Sequence, residues 1–318
     1  MEINRTTRVV GAVDIGGTKI AVGLVDSDGH ILAKATCSTA PQAGFPDACR
    51  RIAATLSRQI NAAGVRLAGV GIGCTGPVYP EDGRIGDVEF LPGWQGATPA
   101  AELSRQFGVP AVLENDADCA ALAEAHWGVG RGRGQVIGVT VGTGIGAGIV
   151  LDGVLYRGAG QSHPELGHHI VDSSGPECYC GARGCWEVLA SGSAVAAWAA
   201  ANAPADYPHR AGLTAERIFE LARAGDAFAR QVVEREAHYL GLGCANLVTI
   251  FTPEILVLSG SVLRSASQLL PGIRTEVRKS CGLVPWQKTT LTTASLGPDT
   301  PLIGAAAAWF SRYTQNGE

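Results

Sequence analysis

The sequence predicts an α/β protein built from two domains of related topology. Three observations carry this. The chain opens with short β-branched strands joined by tight glycine turns. The same strand–glycine turn–strand theme restarts about 125 residues later. Helical patterns alternate with further strands in both halves. A length of 318 residues fits two domains at roughly 150 each. Glycine supplies 43 of those residues, about twice the ~7% typical of soluble proteins, with no collagen-like period, so it belongs to particular turns and close approaches.

The elements follow in order. Residues 9–25 give two β-branched runs interrupted by Gly16-Gly17-Thr18, and after the turn at residues 26–29 a third strand covers residues 30–36. Such short strands with glycine turns form an antiparallel meander. Ala48, Ile52, Leu56 and Ile60 recur at helical spacing over residues 46–63, before Gly64. Residues 67–73 read as a strand and 74–96 as a long loop rich in Gly and Pro. A helix over 99–107 leads to a strand over 111–114 and an alanine-rich helix over 118–127, with Asp118 as its cap. Residues 135–151 repeat the opening around Gly142-Thr143-Gly144-Ile145-Gly146-Ala147-Gly148, and a third strand runs through Leu155 and Tyr156. Thr214 caps a helix to Arg223, and Asp226 caps a long one to about residue 250. A strand over 254–258 ends in Ser259-Gly260-Ser261, and residues 304–312 close the chain as a helix.

Composition excludes several classes. Hydrophobic residues make up 46% and charged residues 17%, as in globular enzymes and unlike disordered chains. The formal net charge of −4 argues against general attraction to nucleic acid. The longest apolar runs fall short of the ~20 residues of a membrane-spanning helix. Met1 to Arg8 is polar and lacks the apolar segment of a signal peptide, so a cytoplasmic location is expected. Of nine cysteines, six stand alone (Cys37, Cys49, Cys74, Cys119, Cys244 and Cys281), as reduced thiols do.

The other three, Cys178, Cys180 and Cys185, lie within eight residues, with glycines between them. Zinc takes four tetrahedral nitrogen or sulfur ligands, so the fourth must come from elsewhere. His168, His169 and His163 are the candidates. Free clustered thiols would expose oxidisable sulfur, whereas a metal stabilises a loop that has no core of its own.

Asp14-Ile15-Gly16-Gly17-Thr18-Lys19 is too short for a P-loop and leads into a strand, which also excludes a dinucleotide fingerprint. What remains is a strand–turn–strand whose bare N–H groups can approach phosphate, beside a hydroxyl and an acid. One such turn is more often a plain hairpin. Two, each with a threonine and placed alike in the two halves, point to phosphate. Between them lies Glu114-Asn115-Asp116, at a strand end, where an aspartate can accept the proton of an attacking hydroxyl.

These segments together resemble the sugar kinase/hsp70/actin superfamily and, more narrowly, the ROK family of sugar kinases and sugar-responsive repressors. The resemblance runs from about residue 10 to 308, and its most specific stretch is Glu165 to Glu187. It implies an actin-like ATPase of ribonuclease H-like topology, with two domains around a cleft: residues 1–118 plus 302–318 as the smaller, and 119–301 as the larger with a zinc-binding loop. It implies that Gly16, Gly17, Thr18 and Lys19, and Gly142, Thr143, Gly144 and Gly146, clasp the ATP phosphates. Asp14 would lie near Mg²⁺ through water, and Gly260 near the adenosine. Asp116 is then the general base, and Gly76, Asn115, Asp116, Glu165, His168 and Glu187 bind the sugar.

The stretch Glu165, Gly167, His168, Cys178, Cys180, Cys185, Glu187 matches the family pattern without a gap. By that match His168 completes a Cys₃His site for one structural zinc, its other ring nitrogen facing a sugar hydroxyl. Thr75 and Phe90 stand where many relatives have proline and asparagine, on the loop that would close over the sugar. The resemblance therefore implies an ATP-dependent kinase acting on the 6-hydroxyl of a hexose. Glucose comes first, with N-acetylglucosamine and N-acetylmannosamine as alternatives. A repressor would need a DNA-binding module, and only 13 residues precede Asp14. A homodimer or dimer of dimers is expected, with sugar-driven closure hinged near Cys119–Ala120 and Pro301.

Overall fold

The computed structural model describes residues 8–314, so the expectation for the polar N-terminus falls mostly outside the described residues. The first half runs β1 (Val9–Ile15), β2 (Lys19–Asp26), β3 (Ile31–Ser38), α1 (Phe45–Ala63), β4 (Leu67–Cys74), the short hairpin β5 (Val78–Tyr79) and β6 (Arg84–Ile85), α2 (Pro99–Phe107), β7 (Ala111–Asn115) and α3 (Asp116–His126). Then follow β8 (Gln135–Val141), β9 (Ile145–Leu151), β10 (Val154–Leu155), α4 (Trp186–Ala190), α5 (Gly192–Asn202), α6 (Ala215–Arg223), α7 (Ala227–Phe251), β11 (Ile255–Ser259), α8 (Ala266–Ser280), β12 (Thr290–Thr293) and α9 (Thr300–Thr314).

Two five-stranded sheets result, ordered β3-β2-β1-β4-β7 and β10-β9-β8-β11-β12. In chain order both read third, second, first, fourth, fifth strand, so the repeat in the sequence is a repeat of topology. In the first sheet β1, β2 and β3 pair antiparallel, whereas β1, β4 and β7 pair in parallel. In the second, β8, β11 and β12 are parallel.

The chain divides into two compact units: residues 8–132, 148–163 and 295–314, and residues 133–147 and 164–294. These differ from the expected boundaries, which put residues 119–132, 148–163 and 295–301 in the larger domain. The reason is packing: α3 lies along α9, and ion pairs tie it to the segment after β10.

Strand β4 shows how glycine serves this fold. Its sequence LAGVGIGC alternates glycine with Val70, Ile72 and Cys74, all fully buried. The apolar set packs with Ile52 and Leu56 of α1 in the core. The glycine set faces α9, where a Cβ on Gly71 would overlap the Ala305 carbonyl and one on Gly69 the Trp309 indole. Trp309 Nε1 then donates to the Pro110 carbonyl at 3.1 Å. Bare backbone on one face lets a helix lie directly on the sheet.

Two helix starts differ from expectation. Helix α3 begins at Asp116, and its cap is Asn115, whose Oδ1 accepts from Ala117 N (2.8 Å) and Asp118 N (3.4 Å). Asp118 is therefore not the cap; it is buried inside the first turn. Helix α9 starts at Thr300, four residues before the expected Gly304. The expected caps Thr214 and Asp226 are found in place. No helix among the described residues is long and apolar enough to cross a membrane.

Glu124, only 2% exposed, ties the end of α3 to the approach of α9. Its carboxylate accepts from Val129 N (3.0 Å), Ser295 N (2.9 Å) and Leu296 N (3.0 Å). Glu124→Ala strands three donors in the interior and is expected to lower unfolding stability by about 3–5 kcal/mol in urea titration. A loss below about 1 kcal/mol would refute this role.

Candidate active site

In the first unit the candidate residues gather at the carboxyl ends of the parallel strands, where open α/β sheets place their ligands. Register aligns Asp14 of β1 with Gly73 of β4, and Gly73 with Glu114 of β7. One residue further, Ile15, Cys74 and Asn115 form the next row. Asn115 is thus the last strand residue and Asp116 the first of α3, its Oδ1 accepting from Ala117 N at 2.8 Å. Gly76 approaches the same point: a Cβ there would lie 3.0 Å from Asn115 Nδ2.

The turn between β1 and β2 is closed by Gly16 N to the Lys19 carbonyl at 3.1 Å. Thr39 braces it, its Oγ1 donating to the Gly16 carbonyl (2.6 Å) and its N–H to the Thr18 carbonyl (3.0 Å). Thr18 and Lys19 are exposed. Phe90, 55% exposed, lies on this turn, its Cβ 2.9 Å from where a Cβ on Gly17 would stand.

Acids accumulate here. Burial raises Asp14 to about 7, with the Asp116 charge adding to it and Lys19 and Lys34 opposing it. Burial likewise lifts Asp116 to about 6, against the Ala117 N–H and His163. Ionised Asp14 therefore destabilises the ligand-free fold above its unfolded pKa of about 4. Asp14→Asn is expected to stabilise the protein by on the order of 2 kcal/mol at pH 7.5. The gain should shrink as pH falls and vanish below about pH 4, where both states hold the proton. Melting curves across pH check this, and an unchanged or lowered midpoint at pH 7.5 would contradict it.

In the second unit the turn between β8 and β9 is closed by Gly142 N to the Gly144 carbonyl at 2.9 Å. Thr143 at its tip is exposed. Gly192 N, at the start of α5, donates to the Gly142 carbonyl (2.8 Å). Glu187 Oε2 accepts from Ile145 N at 2.8 Å, fixing the turn from the other side. Thr140 Oγ1 donates to the Gly146 carbonyl. Gly260 has φ +96° and sits where a Cβ would overlap the Val141 carbonyl, so glycine is required both conformationally and sterically. Gly167 passes equally close to the Ile145 carbonyl, which draws Glu165 and His168 toward the same turn.

Of the three candidate histidines, His168 is the one brought to the clustered cysteines. Ligand atoms of His168, Cys178, Cys180 and Cys185 all lie within 4.8 Å of one another. Cys178 Sγ is 3.4 Å from His168 Nδ1, and Cys180 Sγ is 3.5 Å from Cys185 Sγ. Four such ligands around one zinc would stand about 3.3–3.8 Å apart, so the donor set fits that ion. The other two histidines are engaged elsewhere, His169 Nδ1 with the Leu166 carbonyl (2.5 Å) and His163 with Asp118. His168 Nε2 meets the Tyr179 hydroxyl at 2.9 Å, a partner that sequence reasoning did not find. Burial, and after it the charge of Glu187, push that phenol up.

A family model described as "ROK family" matches residues 10–312. A glucokinase of Thermotoga maritima is 36% identical over 275 residues, covering 83% of this chain and 86% of that protein. The crystal structure of a ROK hexokinase from Thermus thermophilus superposes with a TM-score of 0.83 at 34% identity, covering 98% of this chain and all of that one. A ROK family glucokinase from Streptomyces griseus, solved in complex with glucose and AMPPNP, gives 0.77 at 32% identity over 94% of this chain and 98% of that one. The fold is accordingly the actin-like ATPase fold, and the chain belongs to the ROK family.

Proposed function

We propose that this ROK protein is an ATP-dependent hexose kinase that transfers the γ-phosphoryl group to the 6-hydroxyl of glucose. The observation that carries the reading is Asp116: a carboxylate at the carboxyl end of β7, raised to about 6, beside Asn115 and in the neighbourhood of Asp14. The similarity to glucokinases, one of them holding glucose and an ATP analogue, supports the choice of acceptor and donor.

Phosphoryl transfer passes through a loose transition state, so the protein chiefly positions and neutralises charge. Asp116 accepts the hydroxyl proton as the bond to phosphorus forms. At neutral pH it is ionised, yet basic enough to take a proton. Asn115 Oδ1 is committed to capping α3, which leaves its Nδ2 to donate to a sugar oxygen. Gly76 lets that amide be reached. The N–H groups of Gly16, Gly17 and Thr18, with Lys19, suit phosphate in one unit. Those of Gly142, Thr143, Gly144 and Gly146 suit it in the other, with Gly260 toward the adenosine. Asp14, whose charge is costly in the ligand-free protein, would hold Mg²⁺ through water. That ion supplies neutralisation of the phosphate oxygens.

Glu165 and Glu187 would accept sugar hydroxyls on the ring side away from the reacting one. His168, Cys178, Cys180 and Cys185 would hold one structural zinc, with no position open for substrate. A sugar hydroxyl meeting His168 Nε2 would take the place of the Tyr179 hydroxyl. The test is coupled ADP release across hexoses and N-acetylhexosamines, with the product identified. Glucose 6-phosphate as the fastest product is expected. Preference for N-acetylglucosamine or N-acetylmannosamine would change the acceptor. No sugar-dependent ADP release would overturn the reading.

A further inference from the structure

Four charged side chains grouped around Glu114 and Asp118, the acids two residues either side of Asp116, have no part in the mechanism above. Glu114 ends β7, Asp118 lies in the first turn of α3, and Arg157 and His163 belong to the segment after β10. Arg157 Nη2 is 2.6 Å from Glu114 Oε1, and its Nη1 is 2.9 Å from Asp118 Oδ2. His163 Nδ1 is 2.7 Å from the same Asp118 oxygen. The side chains are only 13%, 1%, 10% and 9% exposed for Glu114, Asp118, Arg157 and His163. The approach is close on every side, since a Cβ on Gly148 would lie 2.8 Å from Asp118 Oδ1.

Burying two acids with two bases is costly, and well-packed apolar residues of similar volume would hold the segment as firmly. A purely structural tie would also be met by the Arg157 pairs alone. The second base, His163, adds charge at a point from which it acts on Asp116. We propose that Glu114, Arg157, Asp118 and His163 form a positioning network for Asp116, in which the His163 ring, paired with Asp118, sets a positive charge against the first turn of α3, the turn that begins with the base. The inference rests on the kinase reading above and names its regulation by charge.

The groups that bear on Asp116 come from each neighbouring element: Asp14 on β1, Cys74 on β4, Asp118 and Cys119 on α3, and His163 after β10. Asp14 and Asp118 disfavour its charge, and burial does so most. Among these side chains His163 alone opposes the rise. A carboxylate 2.7 Å from the ring favours imidazolium. Glu114, which burial raises to about 7 against Arg157, completes the arrangement as the partner of the guanidinium.

The experiment compares pH profiles of kcat, with KM for glucose, for the full chain and two variants between pH 5 and 9. His163→Gln keeps a donor for Asp118 and removes only the charge. Its acid limb is expected to move up by about 0.5–1 pH unit, with the alkaline plateau and KM within about twofold of wild type. His163→Ala removes both, so the limb should move equally and the plateau fall by about tenfold. If His163→Ala fails to fold, His163→Gln decides alone. An unmoved limb, or a loss of equal size at every pH, makes the network structural and overturns the inference. A wild type without sugar-dependent ADP release overturns the kinase reading and this inference together, whereas an active wild type with an unmoved limb overturns only the network.

Discussion

Asp116→Asn is expected to lower kcat at least about 10²-fold while glucose still binds with nearly its wild-type constant. The asymmetry follows from the position of the side chain. Asparagine keeps the shape and one acceptor oxygen, so the hydrogen bond from Ala117 N that orients it survives. What disappears is the ability to take a proton, which matters only as the hydroxyl attacks. The wild-type rate should fall below about pH 6, because burial places the carboxylate there. In the variant the residual rate should lose that limb. Steady-state kinetics with glucose, and calorimetric binding of glucose to both proteins, check the two halves separately. Turnover within about threefold of wild type would remove Asp116 from the chemistry. A binding constant weakened in proportion to kcat would instead make it a sugar ligand only.

Much of this was legible in the sequence because the relevant signals are local. The glycine turns at Gly16-Gly17 and Gly142–Gly144 lie between β-branched runs, and a strand–turn–strand is fixed by the residues that form it. Cys178, Cys180 and Cys185 likewise close on themselves through local bonds, Cys178 N to the Ala182 carbonyl (2.8 Å) and Gly181 N to the Cys178 carbonyl (2.9 Å). The cap of α3 differs from the expected one for a chemical reason. Both Asn115 and Asp118 are good caps, and only the end of β7 decides which one meets the free N–H groups. Helix α8 is not evident because Pro271-Gly272 interrupts its pattern. It forms because Gly272 packs against Ala237 of α7, a tertiary contact that local propensity does not contain.

The pairs that Arg157 and His163 make with Glu114 and Asp118 were illegible for the same reason. Arg157 and His163 stand about forty residues from the acids they meet, and nothing in their own neighbourhood signals a partner. Glycine carried information of two kinds. At Gly16 and Gly142 it marks a turn, as its neighbours suggest. At Gly69, Gly71 and Gly167 it marks a close approach by another element, which only the folded chain reveals.

Cys180→Ser is expected to abolish stoichiometric zinc, raise KM for glucose at least about tenfold and lower kcat with it. Burial and neighbouring thiols push Cys185 up to about 12 and burial raises Cys178, whereas the Ala182 N–H holds Cys180 low. Cys178 and Cys185 therefore keep their protons in the ligand-free protein, and a zinc ion would displace those protons and tie the four ligands together. The segment between Asp172 and Gly184 has almost no core of its own, being held by main-chain bonds such as Gly184 N to the Pro176 carbonyl (2.8 Å). Beyond it, Trp186 is fully buried, with its Nε1 on the Tyr239 carbonyl at 2.9 Å. That end should stay in place without metal. The end that loosens is the one carrying Glu165 and His168, while Glu187 keeps its bond to Ile145 N. Sugar binding should therefore weaken before the fold fails. Elemental analysis should find about one zinc per wild-type chain and almost none in the variant. Chelation of wild type should reproduce the KM defect, and added zinc should reverse it. Wild-type protein without zinc, purified in the absence of chelator, would refute the site, as would a variant that keeps both its metal and its KM.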